Sequence, residues 1–140
     1  MVINGQRIFS QNKGETMINQ QRAWLFAEQL QHRMPEIENL QLLTVDGLAM
    51  RGSCLRQDED KLSALSALLY SGAQQLAECL QEESPKGLIV CIGVSAYVIA
   101  QLGDELVLGL QVPADLGHPQ FLQTVCQLIG EYEQSSPLIH

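Results

Sequence analysis

Leu40 to Gly52 reads Leu-Gln-Leu-Leu-Thr-Val-Asp-Gly-Leu-Ala-Met-Arg-Gly, two apolar runs joined through Asp46-Gly47. An Asp-Gly pair between apolar runs is a strong short-range hairpin signal, because both residues tolerate the positive φ that a tight type I′ turn demands. The stretch commits the chain to an antiparallel start of a sheet. One helical pattern precedes it; a second helical pattern, three strand-like runs and a last helix follow.

From about Thr16 to Met34 the apolar positions Ala23, Phe26, Ala27, Leu30 and Met34 fall on one stripe of an amphipathic helix. Pro35 stops it, because the residue before a proline is pushed out of the α region. Gly52 to Glu59 is a polar connection. Asp58-Glu59-Asp60 then places three acids where the positive end of a helix dipole welcomes them, so a second helix starts there. Its residues Leu62, Leu65, Leu69, Ala73, Leu76 and Leu80 recur at spacings of three and four, which predicts a core face. A neighbouring face carries Ala64, Leu68, Ser71, Gly72 and Gln75. Glycine inside a helix costs roughly 1 kcal/mol relative to alanine, so Gly72 points to a close approach by another backbone, within the monomer or from a second chain.

Glu82-Glu83-Ser84-Pro85 ends that helix. Gly87 to Ile92, Ala96 to Leu102 and Leu106 to Val112 follow as strands, joined by Gly93-Val94-Ser95 and Gly103-Asp104-Glu105. Links this short join antiparallel neighbours in a meander. Leu88-Ile89-Val90-Cys91-Ile92 is apolar at odd and even positions alike, which requires cover on both faces of the sheet, from helices or from a partner. Gly117-His118-Pro119 leads into a final helix whose stripe is Phe121, Val125, Leu128, Ile129 and Tyr132. Ser135-Ser136-Pro137 begins a tail, and Val2 to Phe9, broken at Asn4-Gly5, matches no strong element.

A chain of 140 residues fits one domain. Its boundaries are read as an arm over 1–15, the domain over 16–134 and a tail over 135–140. Eight Lys and Arg against 16 Asp and Glu give a formal charge of −8, with no Lys or Arg after Lys86. Such a chain repels phosphate backbones and anionic headgroups, which argues against nucleic-acid or membrane-surface roles; the acidity fits a protein partner with a basic patch, and equally fits solubility alone. The first ten residues lack the basic segment and apolar core of a secretory signal, so a cytoplasmic location is expected. Gly87 to Gly103, the longest apolar run, falls short of the roughly 20 residues a helix needs to span a bilayer and reads as two buried strands.

Signals for chemistry are weak. Cys54, Cys79, Cys91 and Cys126 show no metal-ligand spacing; Cys91 and Cys126 read as buried small hydrophobes, reduced in the cytoplasm. Gly93-Val94-Ser95-Ala96-Tyr97 lacks the last glycine of a nucleophile elbow. No phosphate-binding Gly-x-x-x-x-Gly-Lys-Ser/Thr occurs. Cys91 and His118 could form a thiol and base pair only if the fold brought them together, and Asp46 and Asp104 read as turn residues. The expectation is a non-enzyme with no catalytic residue, no metal and no cofactor.

The order helix, two strands, helix, three strands, helix resembles the Roadblock and dynein light chain family in its prokaryotic form. The matching positions are the Leu42 to Met50 hairpin around Asp46-Gly47-Leu48, the Leu62 to Leu80 helix, the Gly87 to Leu102 strand pair, and Gly103-Asp104 before Leu106 to Val112. The likeness covers roughly residues 17 to 132. It departs at Ala49, where many members carry proline, and over residues 1–15. It implies an α+β fold with a five-stranded antiparallel sheet, the first and third helices on one face and the second on the other. It further implies a homodimer in which third strands join edge to edge and second helices pack together. Placed on this chain, that interface would draw on Ala64, Leu68, Ser71, Gly72, Gln75, Leu88, Val90 and Ile92. The function implied is an adaptor or regulator that binds a Ras-like small GTPase or another signalling partner. The alternative is a small-ligand sensor with a pocket between sheet and helix, for which Thr44, Tyr97 and Gln111 are the polar strand candidates.

Overall fold

The computed structural model describes residues 21–52 and 59–135. Within them the chain is helical over 21–33, which is α1. Ala23, Ala27 and Leu30 are buried, and Phe26 and Met34 pack partly buried beside them, so the predicted stripe is the one that docks. The Met34 N–H closes the helix on the Leu30 carbonyl at 2.9 Å, and Pro35 prevents another turn. There follow β1 (Asn39–Thr44), β2 (Ala49–Gly52), α2 (Glu59–Cys79), β3 (Gly87–Ile92), β4 (Ser95–Leu102), β5 (Leu106–Pro113), a 3-10 turn over Ala114–Leu116, and α3 (Pro119–Ser135). The five strands form one antiparallel sheet in the order β2-β1-β5-β4-β3. β5 is the central strand, and among the described residues β2 and β3 are the edges.

Strand alternation divides the core in two. Leu40 and Leu42 of β1, Ala96, Val98, Ala100 and Leu102 of β4, and Leu106, Leu108, Leu110 and Val112 of β5 face α1 and α3, where Phe121, Val125 and Ile129 complete the cluster. The opposite parity, Leu43, Ile99 and Val107, meets Ala67 and Tyr70 of α2 with Leu88 and Tyr97 beside them. The expected five-stranded sheet with helices on both faces is what the chain forms.

Three local readings are corrected. The Asp46-Gly47 turn is not type I′: among the described non-glycine residues only Gln81 has positive φ, so Asp46 stays on the ordinary side while Gly47 sits at φ 97°. The loop is wider than two residues. Gly47 N–H donates to the Thr44 carbonyl (2.9 Å), Thr44 N–H to the Leu48 carbonyl (2.9 Å), and Leu48 N–H to Thr44 Oγ1 (3.1 Å). Threonine's hydroxyl thus satisfies a donor that a two-residue turn would have paired differently.

Secondly, the leucine face of α2 is not core. Leu65, Leu69, Leu76 and Leu80 are 47%, 40%, 59% and 63% exposed, whereas Ser63, Ser66, Ala67 and Tyr70 are the buried residues of the helix. Small side chains let α2 settle onto a sheet face that already carries bulk in Tyr97 and Gln41. Thirdly, Cys91 is exposed rather than buried, because it lies on edge strand β3; Cys126 is half-buried. Cys54, Asp58, the Thr16 start of α1, the arm over 1–15 and the tail from 136 lie outside the described residues.

Candidate functional site

Successive helix residues are about 100° apart, so α2 has three distinct faces. The face on the sheet carries a polar layer. Gln41 Nε2 donates to Ser63 Oγ at 2.5 Å, Ser66 Oγ and the Tyr97 hydroxyl are 2.7 Å apart, and the Tyr70 hydroxyl donates to Gln101 Oε1 at 2.5 Å. Ser66 Oγ also bonds the Leu62 carbonyl at 2.7 Å. Gly109 makes room for the Tyr97 hydroxyl, since a Cβ at that position would collide with it. Gln41 is 1% exposed, and its Oε1 has no hydrogen-bond partner among the described residues. Burial pushes the Tyr70 hydroxyl up from its ordinary pKa, with a hydrogen bond from Gln74 opposing.

The contacts also fix which way the other two faces lean. Gly47, in the β1–β2 loop, lies against Ala64 and Ala67, while Ser66 reaches Tyr97 on β4. One flank of α2 therefore looks toward β1 and β2 and the other toward β4 and the β3 edge. Ala64, Ser71 and Gln75 belong to the first flank. Leu62, Leu65, Leu69, Leu76 and Leu80 form a stripe that points outward and leans to the second.

On that same side lies β3, which is hydrogen-bonded within the described residues only to β4. Its register with β4 pairs Leu88 with Ile99, Val90 with Tyr97 and Ile92 with Ser95, so Leu88, Val90 and Ile92 share the α2 face. Leu88 and Val90 are half-buried, Ile92 is 61% exposed, and Val94 in the following two-residue turn is exposed. Of the eight residues expected at an interface, Leu68, Gly72, Ala64, Gln75 and Ile92 are exposed, and Ser71, Leu88 and Val90 are half-buried. The structure brings Leu88, Val90 and Ile92 together with the leucine stripe, and sets Ala64, Ser71 and Gln75 on the far flank. Leucines 62, 65, 69, 76 and 80 are the surface residues that sequence reasoning assigned elsewhere. Their signal was their own periodicity, which the described residues do not bury.

The residues weighed for chemistry are accounted for structurally. Ser95 Oγ accepts from Gln111 Nε2 at 3.2 Å, and Asn39 Nδ2 donates to Gln111 Oε1 at 2.6 Å, a row across three strands. His118 Nδ1 accepts the Phe121 N–H at 3.2 Å and so caps α3. Among the described residues no group of three His, Cys, Asp or Glu could hold a metal ion, and no helix is long and apolar enough to cross a membrane. An open cleft of about 1190 Å³ lies between α3 and the β4–β5 turn, lined by Gln101 to Leu106, Cys126, Gly130 and Glu133 among others. At its edge the Gly103 N–H donates to Glu133 Oε2 at 2.6 Å. Burial raises the pKa of the Cys126 thiol there, and Lys86 partly offsets the rise.

No family model and no curated protein matches the sequence. Solved structures do match the fold. A Roadblock/LC7 domain from Streptomyces avermitilis superposes with a TM-score of 0.65 at 18% identity, over 80% of this chain and 92% of that one. The gliding protein MglB from Thermus thermophilus gives 0.58 at 15% identity, over 79% and 90%. An MglB described as having a tetrameric arrangement gives 0.57 at 15% identity, over 79% and 92%.

Proposed function

We propose that this chain, whose fold is that of the Roadblock/LC7 domains, is a non-catalytic homodimeric adaptor or regulator that binds a Ras-like small GTPase or a related signalling partner. The observation that carries the reading is the leucine stripe of α2 beside the open edge of β3. An open, apolar strand edge is a template for uncontrolled pairing, and a row of exposed leucines next to it makes a patch that monomers avoid. A second copy covers both at once, and a self-complementary surface is what a two-fold dimer requires.

The GTPase class comes from the family resemblance. The charge of −8 is compatible with a partner whose contact surface is basic. A dimer surface regulates such a partner if it contacts one switch state better than the other, which shifts the population without any group on this chain entering the chemistry. Sedimentation equilibrium is expected to give a dimer at micromolar concentration. Candidate Ras-like GTPases loaded with GDP or a GTP analogue are expected to bind with unequal affinity. A monomer at all concentrations defeats the dimer, and equal or absent binding with unchanged GTP turnover defeats the partner.

The cleft by α3 favours a second reading, a ligand sensor. A sensor needs a buried polar group that looks into its pocket, but Gln41, buried with an unpaired oxygen, lies on the α2 face while the cleft opens beside the α3 cluster. Thermal shift against a metabolite panel separates the readings, since ligand at 100 times its dissociation constant adds about 2.7 kcal/mol.

A further inference from the structure

The outward stripe of α2 holds an alternation of three and four: Leu62, Leu65, Leu69, Gly72, Leu76, Cys79. These are the a and d positions of a heptad repeat, the pattern of a helix that meets another helix along a seam. All but Leu62, which is partly covered, are exposed. A Cβ built on Gly72 meets nothing within 4 Å, so nothing among the described residues requires a glycine there.

A second copy that continues the sheet across β3 with both α2 helices on one face is related by a two-fold perpendicular to the sheet. A two-fold lying in the sheet would turn one copy over. The perpendicular axis sets β3 against β3 and α2 against α2, each antiparallel. This rests on the dimer reading above and adds its register. We propose that the axis passes beside the turn from Leu69 to Gly72, so that Leu69 of each copy seats over Gly72 of the other. The same register places Leu65 against Leu76 and Leu62 against Cys79. It uses every seam residue in a large-to-small or leucine-to-leucine contact, and it fills the open space at Gly72 twice. Gly72 and Leu69 are then the residues that set self-recognition.

The test is the dimer dissociation constant of the full chain by sedimentation velocity, with far-UV circular dichroism to confirm folding. Gly72→Leu is expected to raise it at least a hundredfold, and adding Leu69→Ala to the same chain to recover tenfold or more, because the swap restores volume at both symmetric contacts. Gly72→Ala, which favours the helix, is expected to raise it about tenfold. Gln75→Ala, on the other flank, is expected to leave it within twofold. A tight Gly72→Leu dimer, or a double variant no better than the single, overturns the register while the dimer stands. A wild-type chain that stays monomeric overturns both.

Discussion

Under α1 and α3 the sheet presents Leu40, Leu42, Val98, Leu108 and Leu110 to a continuous apolar layer, and among the described residues 17 buried ones make that cluster, against five under α2 that are interleaved with Gln41, Tyr97 and Gln101. The first side behaves as a domain core. The second is fastened by small side chains and hydrogen bonds, with the helix's leucines turned away from it. A net hydrogen bond contributes about 1 kcal/mol and a buried leucine about 2 kcal/mol, so the apolar side holds most of the monomer's stability. The difference teaches that the strongest hydrophobic period on a helix need not be the face it lays on its own sheet.

The sharpest way to break that comparison is to truncate one leucine on each side. Leu108 is wholly buried between β1 and β4 neighbours, so Leu108→Ala is expected to lower the unfolding free energy by about 2–5 kcal/mol. Leu76→Ala removes a side chain that is exposed in the monomer and is expected to change monomer stability by under about 0.5 kcal/mol. Urea titrations at a dilution where the chain is monomeric make the measurement. Comparable losses would show that the α2 stripe is packed within one chain after all.

A smaller effect tests the polar layer. Ser63→Ala leaves the Gln41 amide, already missing a partner at Oε1, without its 2.5 Å acceptor as well, and is expected to cost about 1–3 kcal/mol. Gln41→Met combined with Ser63→Ala removes both ends of the bond and the orphaned oxygen, and is expected to recover most of that loss. If the double variant is as unstable as the single, Gln41 is held by something other than Ser63.

Which parts were legible in the sequence follows from the same contrast. The stripes of α1 and α3 were readable because each helix meets one apolar layer, so period equals burial; β4 and β5 were readable as continuous apolar runs because both of their faces are covered. The Asp46-Gly47 hairpin was placed correctly but with the wrong turn, since Thr44's hydroxyl bond to Leu48 is a local choice that dipeptide preference does not contain. On α2 the pattern misled. Ser63 and Ser66 look like surface residues until Gln41 and Tyr97 arrive from strands 22 and 31 positions away to bond them. Cys91 failed for a related reason: β3 has the composition of a buried strand, yet among the described residues it pairs on one side only, which leaves Cys91 exposed.

The smallest effect concerns alkaline pH, with one tyrosine on each side. Burial raises the Tyr70 hydroxyl under α2 and the Tyr132 hydroxyl on α3 above the ordinary value of 10.0; Arg22, 5.9 Å from the Tyr132 ring, opposes the rise at Tyr132, and Glu133 adds to it. The folded chain then keeps protons that the unfolded chain has released, so stability is fully present below pH 10 and falls as pH climbs through the tyrosine range. Tyr132 stacks on Phe26 at 4.8 Å between ring centroids, a contact that phenylalanine keeps, whereas the Tyr70 hydroxyl ties α2 to Gln101 on β4. Thermal midpoints from pH 8 to 11 are therefore expected to fall less steeply in Tyr132→Phe than in the parent. Tyr70→Phe should flatten the same slope but start lower, by the worth of one hydrogen bond. Equal starting midpoints for the two variants would mean that the hydroxyl under α2 fastens no more than the one on α3, and the contrast between the two sides of the sheet would lose one of its three polar fastenings.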